Sequence, residues 1–141
     1  MTLISTLAAM AAGVVLSASV AAASTVVPID NEPAPRLIVE QPLPEPLARG
    51  VVYIPYRVEN LRIVPVGGAV AREISPRIGH LHVSVDDLRW QWADFGQSNT
   101  IILIGMPPGE HTVLIDVVDP MGKVHTGQKI RFTTPGPNQP R

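Results

Sequence analysis

Cysteine is absent from the 141 residues of this chain. This absence excludes disulfide bonds, thiolate metal sites, a catalytic cysteine and a cysteine-linked lipid anchor. A large net charge is absent too, because eleven basic and twelve acidic residues leave a formal net charge of −1. The charges are interspersed, so no basic face for nucleic acid is expected. An apolar core alone must therefore hold the fold.

Signatures of enzymes are also missing. The sequence contains no G-x-S-x-G elbow, no H-E-x-x-H zinc motif and no phosphate-binding glycine loop. His82, Ser84 and Asp86 alternate along one predicted strand, so their side chains would run parallel and could not converge as a catalytic triad. We therefore expect that the protein is not an enzyme.

Charged side chains are absent from the first 29 residues. Leu3 to Val20 is apolar and rich in small residues, and Ala21-Ala22-Ala23 offers an A-x-A cleavage site. This pattern predicts a signal peptide over residues 1–23 and export to a bacterial periplasm or the cell exterior. No stable membrane span is expected after cleavage. The alternative is an uncleaved N-terminal anchor, since the uncharged run is long enough to span a bilayer.

Proline is dense after the predicted cleavage site. Six prolines in residues 24–49 predict an extended arm rather than a helix, with one short edge strand at residues 36–40. A β domain is expected over residues 50–134, followed by a disordered tail at residues 135–141.

Strand patterns recur about every 8–12 residues within the β domain, and no segment has a convincing helical period. His80 to Asp86 alternates between apolar and polar residues, and Asn99 to Met106 is a nearly continuous apolar run that predicts a buried strand. His111 to Val118 and Val124 to Thr134 predict a hairpin. The expected fold is all-β, an immunoglobulin-like antiparallel β-sandwich of six or seven strands.

Two histidines share one face of the alternating strand. Leu81, Val83 and Val85 are predicted to face the core, with His80 and His82 on the opposite face. Side chains at i and i+2 have Cβ atoms about 7 Å apart, and imidazole suits copper and zinc. The alternatives are a solvated strand face bearing two polar residues and a histidine–aromatic contact with Trp90 and Trp92.

The last hairpin adds two candidate ligands. A two-residue loop would place Asp116 opposite His125 on the outer face, and in the immunoglobulin order these strands neighbour the His80 strand. His80, His82, Asp116 and His125 could then form one copper or zinc site.

The register of this hairpin is open from sequence alone. The sequence Asp119-Pro120-Met121-Gly122 also suits a type I turn with a bulge at Gly122. That turn would slip the register by one and point His125 inward, unless a bulge at Gly127 compensates.

His111 and the tryptophans have structural interpretations. His111 shares parity with the core-facing residues of its strand. In immunoglobulin-like sandwiches a tyrosine at this place bonds the backbone at a corner, which one imidazole nitrogen can also do. At least one of Trp90 and Trp92 is interpreted first as a core side chain. Alternatively, they form an aromatic platform for a protein or glycan partner.

Several motifs occur together along the chain: Leu47-Ala48-Arg49-Gly50, Tyr56-Arg57-Val58-Glu59-Asn60-Leu61-Arg62, Ser75-Pro76-Arg77-Ile78, Gly79-His80-Leu81-His82-Val83-Ser84-Val85-Asp86-Asp87, Trp90-Gln91-Trp92-Ala93-Asp94 and Pro107-Pro108-Gly109-Glu110-His111. In this combination they resemble a family of small secreted bacterial proteins of unknown function. The resemblance implies a secreted β protein and no particular activity. Its members often carry histidine where this chain has Gln91 and in the loop at residues 119–122.

These observations predict a secreted, non-enzymatic β-sandwich protein. Its most specific expected function is binding of copper or zinc through His80 and His82, with help from Asp116 or His125. The alternative is a protein- or glycan-interaction module that uses the Trp90–Trp92 region or an exposed sheet edge.

Overall fold

The computed structural model describes residues 32–86 and 91–136, with only the backbone of Gln91. The predicted signal peptide, Trp90 and residues 137–141 fall outside these ranges. Within them, no helix has the length and apolar character needed to cross a membrane.

The described chain is built mainly from β-strands. The eight strands of these ranges are β1 Arg36–Val39, β2 Val51–Glu59, β3 Arg62–Ile63, β4 Ile78–Val85, β5 Gln91–Asp94, β6 Thr100–Ile104, β7 Gly109–Val118 and β8 Val124–Thr134. A short helix α1 spans Pro44–Ala48, and a single 3₁₀ turn spans Val70–Glu73. The predicted all-β fold class is confirmed.

The strands form two sheets. One sheet has the order β1-β2-β6, and the other has the order β3-β4-β7-β8, with β5 also paired to β4. The pairing of β3 with β4 is parallel, and the other strand pairings are antiparallel. The predicted neighbours of the His80 strand are therefore confirmed, since β7 lies beside β4 and β8 lies beside β7.

Alternating apolar residues of both sheets meet in one core. The core includes Leu37, Val52, Ile54, Tyr56, Leu81, Val83, Val85, Ile101, Leu103, Val113, Ile115, Val117, Ile130 and Phe132. Burial of each large aliphatic side chain stabilises the fold by about 1.5–3 kcal/mol. Because these residues recur at every second position, their polar neighbours must face outward, which is how the candidate ligands come to share one sheet face.

The proline-rich segment contains both a strand and a helix. The predicted edge strand is confirmed as β1, whose Leu37 is 3% exposed and belongs to the core. The expectation that no helix forms here is wrong over Pro44–Ala48. Pro44 and Pro46 occupy the first turn, where backbone N–H groups have no partner within the helix, so their missing donors cost little. Leu47 N donates to Leu43 O at 3.1 Å.

The apolar run at residues 99–106 is buried on one face only. Ile101 and Leu103 are in the core, whereas Ile102 is 48% exposed and Ile104 is 78% exposed. The prediction of a buried strand therefore holds for one face of β6 and is wrong for the other. Among the described strands β6 pairs only with β2, so it forms a sheet edge with one uncovered face.

Candidate functional site

His80 and His82 lie side by side on the outer face of β4. Their Nε2 atoms are 3.1 Å apart, and their ring centroids are 5.0 Å apart. The predicted parity is confirmed, because Leu81 and Val83 are fully buried on the opposite face. The strand period thus holds two imidazole nitrogens at a separation that a single proton or a single metal ion could bridge.

His80 is more deeply buried than its place on the outer face suggests. Only 8% of the residue is exposed, and its ring stacks on Phe95 with centroids 4.5 Å apart and planes inclined by 31°. Its Nδ1 atom is buried without a hydrogen-bond partner in the described part of the chain. Burial and the neighbouring His82 lower the pKa of His80, while Asp119 opposes them. The neutral ring is therefore favoured.

Phe95 was missed by sequence reasoning. Leu81 lies opposite Asp94 in the β4–β5 pair, so the next residue along the chain, Phe95, comes beside His80. The signal that could have found it is the length of the β4–β5 connection, which sets this register.

Asp116 lies directly opposite His82, as the predicted strand order requires. Its carboxylate, however, leans toward β8. A Cβ atom added to Gly127 would stand 1.9 Å from Asp116 Oδ1, so the carboxylate occupies the space that the glycine leaves open. Burial raises the pKa of Asp116, and the nearby His82 opposes this rise.

The hairpin turn is the second one considered from the sequence, with a bulge at Gly122. Gly122 N donates to Asp119 O at 2.9 Å, Asp119 N donates to Lys123 O at 2.9 Å, and Gly122 has a φ of 84°. Val118 consequently lies opposite Val124, a slip of one residue. The two-residue loop is not formed, because Gly122 readily adopts the left-handed conformation that a bulge needs.

A second irregularity restores the parity of β8. The register shifts again between Val117 and Val118, so Val117 lies opposite Thr126 and Asp116 lies opposite Gly127. His125 is the residue passed over by this shift, and the expected pairing of Asp116 with His125 is therefore wrong. The irregularity that compensates the slip at the turn therefore lies at His125 rather than at Gly127.

His125 lies in a different setting from the histidine pair. It lines a cleft together with Arg77, Asp119 and Lys123. Burial, Arg77 and Lys123 lower its pKa, and Asp119 opposes them. Among the described residues, no group of three or more histidine and acidic side chains is positioned to hold a metal ion.

His111 makes the corner bond expected from the sequence. Its Nε2 lies 2.7 Å from Pro107 O, and its Nδ1 lies 2.8 Å from Asp86 Oδ2. The residue is 6% exposed. Both ring nitrogens are thus engaged in holding the chain, which supports the structural interpretation of His111.

Trp92 belongs partly to the core and partly to a surface groove. It is half-buried and packs against the core cluster. It also lines a groove of about 550 Å³ with Ile102, Ile104 and Met106. Trp90, the other predicted aromatic, lies outside the described residues.

The comparisons with known proteins give a family without an activity. No curated protein and no solved structure matches the chain. A family model covers residues 2–141, and the chain accordingly belongs to a family of unknown function (DUF6130).

Proposed function

We propose that this chain is a secreted, non-enzymatic protein that binds one copper or zinc ion through Nε2 of His80 and of His82. The observation that supports this proposal is the 3.1 Å separation of the two nitrogens. With metal–nitrogen bonds of about 2.05 Å, a 3.1 Å separation corresponds to an N–metal–N angle of about 98°. That angle lies between square-planar and tetrahedral values.

The surroundings of the pair favour binding without a large rearrangement. His80 is held by its stack on Phe95, and β4 fixes the spacing to His82. Only neutral imidazole binds a metal, and burial together with His82 lowers the pKa of His80. Little free energy is then needed to remove a proton or to order the rings.

Copper(II) is the preferred ion of the two. Structural zinc sites usually have four protein ligands, whereas two imidazoles with water completing a tetragonal set suit copper(II). Copper(II) also binds nitrogen ligands more strongly than zinc does. Asp116 is a candidate further ligand, since it lies opposite His82, and it would have to turn away from Gly127 to reach the ion.

Calorimetric titration of copper and zinc into an untagged chain that starts at residue 24 tests the proposal. We expect one copper ion per chain, with binding weakened at least about tenfold by His82→Ala. His82 is half-buried and can be replaced with less damage than His80. His125→Ala is the matched control, because it removes a histidine that lies in another cleft. An absence of heat, or equal losses in both variants, would rule the site out.

Export is part of this proposal. It is supported by the apolar residues 3–20 and by Ala21-Ala22-Ala23. Mass spectrometry of the protein isolated from its host cells should give a mass that lacks residues 1–23. A full-length mass would favour the anchor instead.

A second candidate function is binding of an apolar polypeptide segment. The groove beside β6 is lined by Trp92, Met106 and the exposed Ile102 and Ile104. An open edge strand next to apolar side chains suits an added strand of another protein. Its mainly apolar lining favours a polypeptide over a glycan, which would need more polar groups.

Peptides selected from a displayed random library on the wild-type chain test this second function. Ile104→Lys should abolish their binding, because it places a charge in the groove. Val124→Lys should not, since Val124 is an exposed aliphatic residue of β8, at 50% exposure, that does not line the groove. Peptides that bind all three proteins alike would contradict the groove as the binding site.

A further inference from the structure

A cleft opens between the 3₁₀ turn, the start of β4 and the last hairpin. Its volume is about 330 Å³, and its charged or polar lining includes Arg72, Glu73, Arg77, Asp119, Lys123 and His125. We propose that this cleft binds a multiply charged oxyanion, in the form of a phosphate or sulfate group. The site is separate from the proposed metal site and does not depend on it.

Among the side chains that line the cleft, cations outnumber carboxylates, and Glu32, outside the lining, also interacts electrostatically with Arg77. Three cationic side chains, Arg72, Arg77 and Lys123, face two carboxylates. One of these carboxylates is already engaged: Asp119 is 2% exposed, and its Oδ1 accepts hydrogen bonds from Met121 N at 2.8 Å and Lys123 N at 2.9 Å. The hydrogen-bonding capacity of its Oδ1 is therefore used by the turn, which leaves the three cations available to a further anion.

The ring of His125 experiences this positive field. Burial is the largest cause of the lowered pKa of His125; Arg77 and Lys123 lower it further, and Asp119 opposes them. A cationic environment that disfavours an imidazolium favours an anion at the same place. The neutral ring keeps one N–H that can donate to such an anion.

Arg77 is held in place while retaining an unused donor. Its backbone N donates to Glu32 Oε2 at 2.9 Å, and its Nη1 donates to Pro33 O at 2.7 Å. Its Nε is buried and has no hydrogen-bond partner within the described ranges. A guanidinium fixed in this way loses little further freedom when an oxyanion binds.

The ligand class follows from these donors. Arginine and lysine form their strongest hydrogen bonds with phosphate and carboxylate groups, and arginine binds tetrahedral oxyanions with two parallel bonds. Three cations and a ring N–H converge from three segments of the chain, which suits an ion that has several acceptor oxygens. The group could be a free ion or part of a larger molecule.

Nuclear magnetic resonance of the His125 ring measures binding directly. Inorganic phosphate, sulfate and phenyl phosphate would be titrated into the metal-free wild-type chain at constant ionic strength. We expect saturable shifts of the His125 signals and a rise in the pKa of His125. Tighter binding of phenyl phosphate than of inorganic phosphate would indicate a group on a larger molecule, and equal or weaker binding would indicate the free ion.

Charge variants separate this cleft from general surface attraction. Lys123→Gln and Arg72→Gln should each weaken binding roughly threefold to tenfold, as expected for loss of one charge-assisted hydrogen bond at an exposed site. Lys129→Gln is the matched control, because it removes the same charge from an exposed position of β8 outside the cleft. Shifts that do not saturate, or an equal loss in Lys129→Gln, would overturn the proposal. His82→Ala should leave anion binding unchanged.

Discussion

Asp86 and His111 form an ion pair that joins the end of β4 to the start of β7. His111 Nδ1 lies 2.8 Å from Asp86 Oδ2, and His111 Nε2 lies 2.7 Å from Pro107 O. Because both partners are acceptors, both ring nitrogens must donate, which favours a positively charged ring. Asp86 Oδ1 also accepts from Thr112 N at 2.7 Å.

The ion pair raises the pKa of His111 and lowers the pKa of Asp86. Burial alone would lower the pKa of His111, but the bonds to Asp86 and Pro107 outweigh burial and raise it. Burial alone would raise the pKa of Asp86, but the bonds from His111 and Thr112 outweigh burial and lower it. The charged pair therefore stabilises the folded state.

The first prediction concerns Asp86→Asn, which should destabilise the fold by about 1–2 kcal/mol at pH 5.5. Asparagine tolerates the φ of 50° at this position, so the change removes mainly charge. Because the pKa of His111 is raised in the folded state, the pair stabilises the fold fully at pH values below the unfolded pKa of about 6.5. This stabilisation is lost as the pH rises through the raised pKa of the folded state. The lowered pKa of Asp86 stabilises the folded state at pH values above the unfolded pKa of about 3.9, and this stabilisation is lost as the pH falls through the lowered pKa.

Urea denaturation of both proteins at pH 5.5 and pH 9 measures this effect. The difference in the free energy of unfolding between wild type and Asp86→Asn should be smaller at pH 9 than at pH 5.5, because the His111 ring loses its proton as the pH rises through its raised pKa. Glu110→Gln, a change at an exposed neighbour of His111, should have little effect at either pH. Equal losses in Asp86→Asn at both pH values would show that the ion pair contributes nothing.

The second prediction compares adjacent isoleucines of β6. Ile101→Ala should cost about 2–5 kcal/mol, because Ile101 is 2% exposed and lies in the core. Ile102→Ala should cost less than about 1 kcal/mol, since Ile102 faces outward. Chemical denaturation of both variants checks the alternation. Similar losses at the two positions would mean that β6 is covered on both faces.

Strand faces were predictable from sequence because alternation depends only on neighbouring residues. The outward position of His80 and His82 followed from the period of Leu81, Val83 and Val85, and the structure has that parity. The place of Asp116 opposite His82 followed from strand order. Each step used the two-residue repeat of a strand and an antiparallel neighbour.

The failure at His125 has a local cause. Its predicted place depended on a single register through the hairpin, and two irregularities shift that register by two residues in total. The turn at Asp119–Gly122 was one of the options considered, but the shift at Val117 leaves no mark in residue types. The contact of Phe95 with His80 was likewise missed, because it depends on the length of the β4–β5 connection and not on the strand period.

The third prediction concerns Gly79, which lies where two strands approach closely. A Cβ atom at this position would stand 2.1 Å from Val118 O, a backbone atom of β7. Gly79→Ala should therefore destabilise the protein by about 3 kcal/mol or more, because the strands would have to separate. Gly136→Ala is the matched control, since its Cβ would meet no atom within 4 Å. Thermal unfolding of both variants measures the contrast, and equal melting temperatures would contradict the close approach.

The fourth prediction tests whether Asp116 can complete the proposed metal site. In Gly127→Ala the new Cβ would stand 1.9 Å from Asp116 Oδ1. The side chain of Asp116 must therefore rotate away from β8. Its neighbour on the other side is His82. We expect the rotated carboxylate to join the two imidazoles and to strengthen copper binding roughly tenfold, equivalent to about 1.4 kcal/mol. Calorimetric titration of Gly127→Ala should give this gain, and the double variant Gly127→Ala/Asp116→Asn should lose it, because the amide is a weaker ligand than the carboxylate. If Gly127→Ala binds copper no more tightly than the wild type while remaining folded, Asp116 is not a ligand of the site.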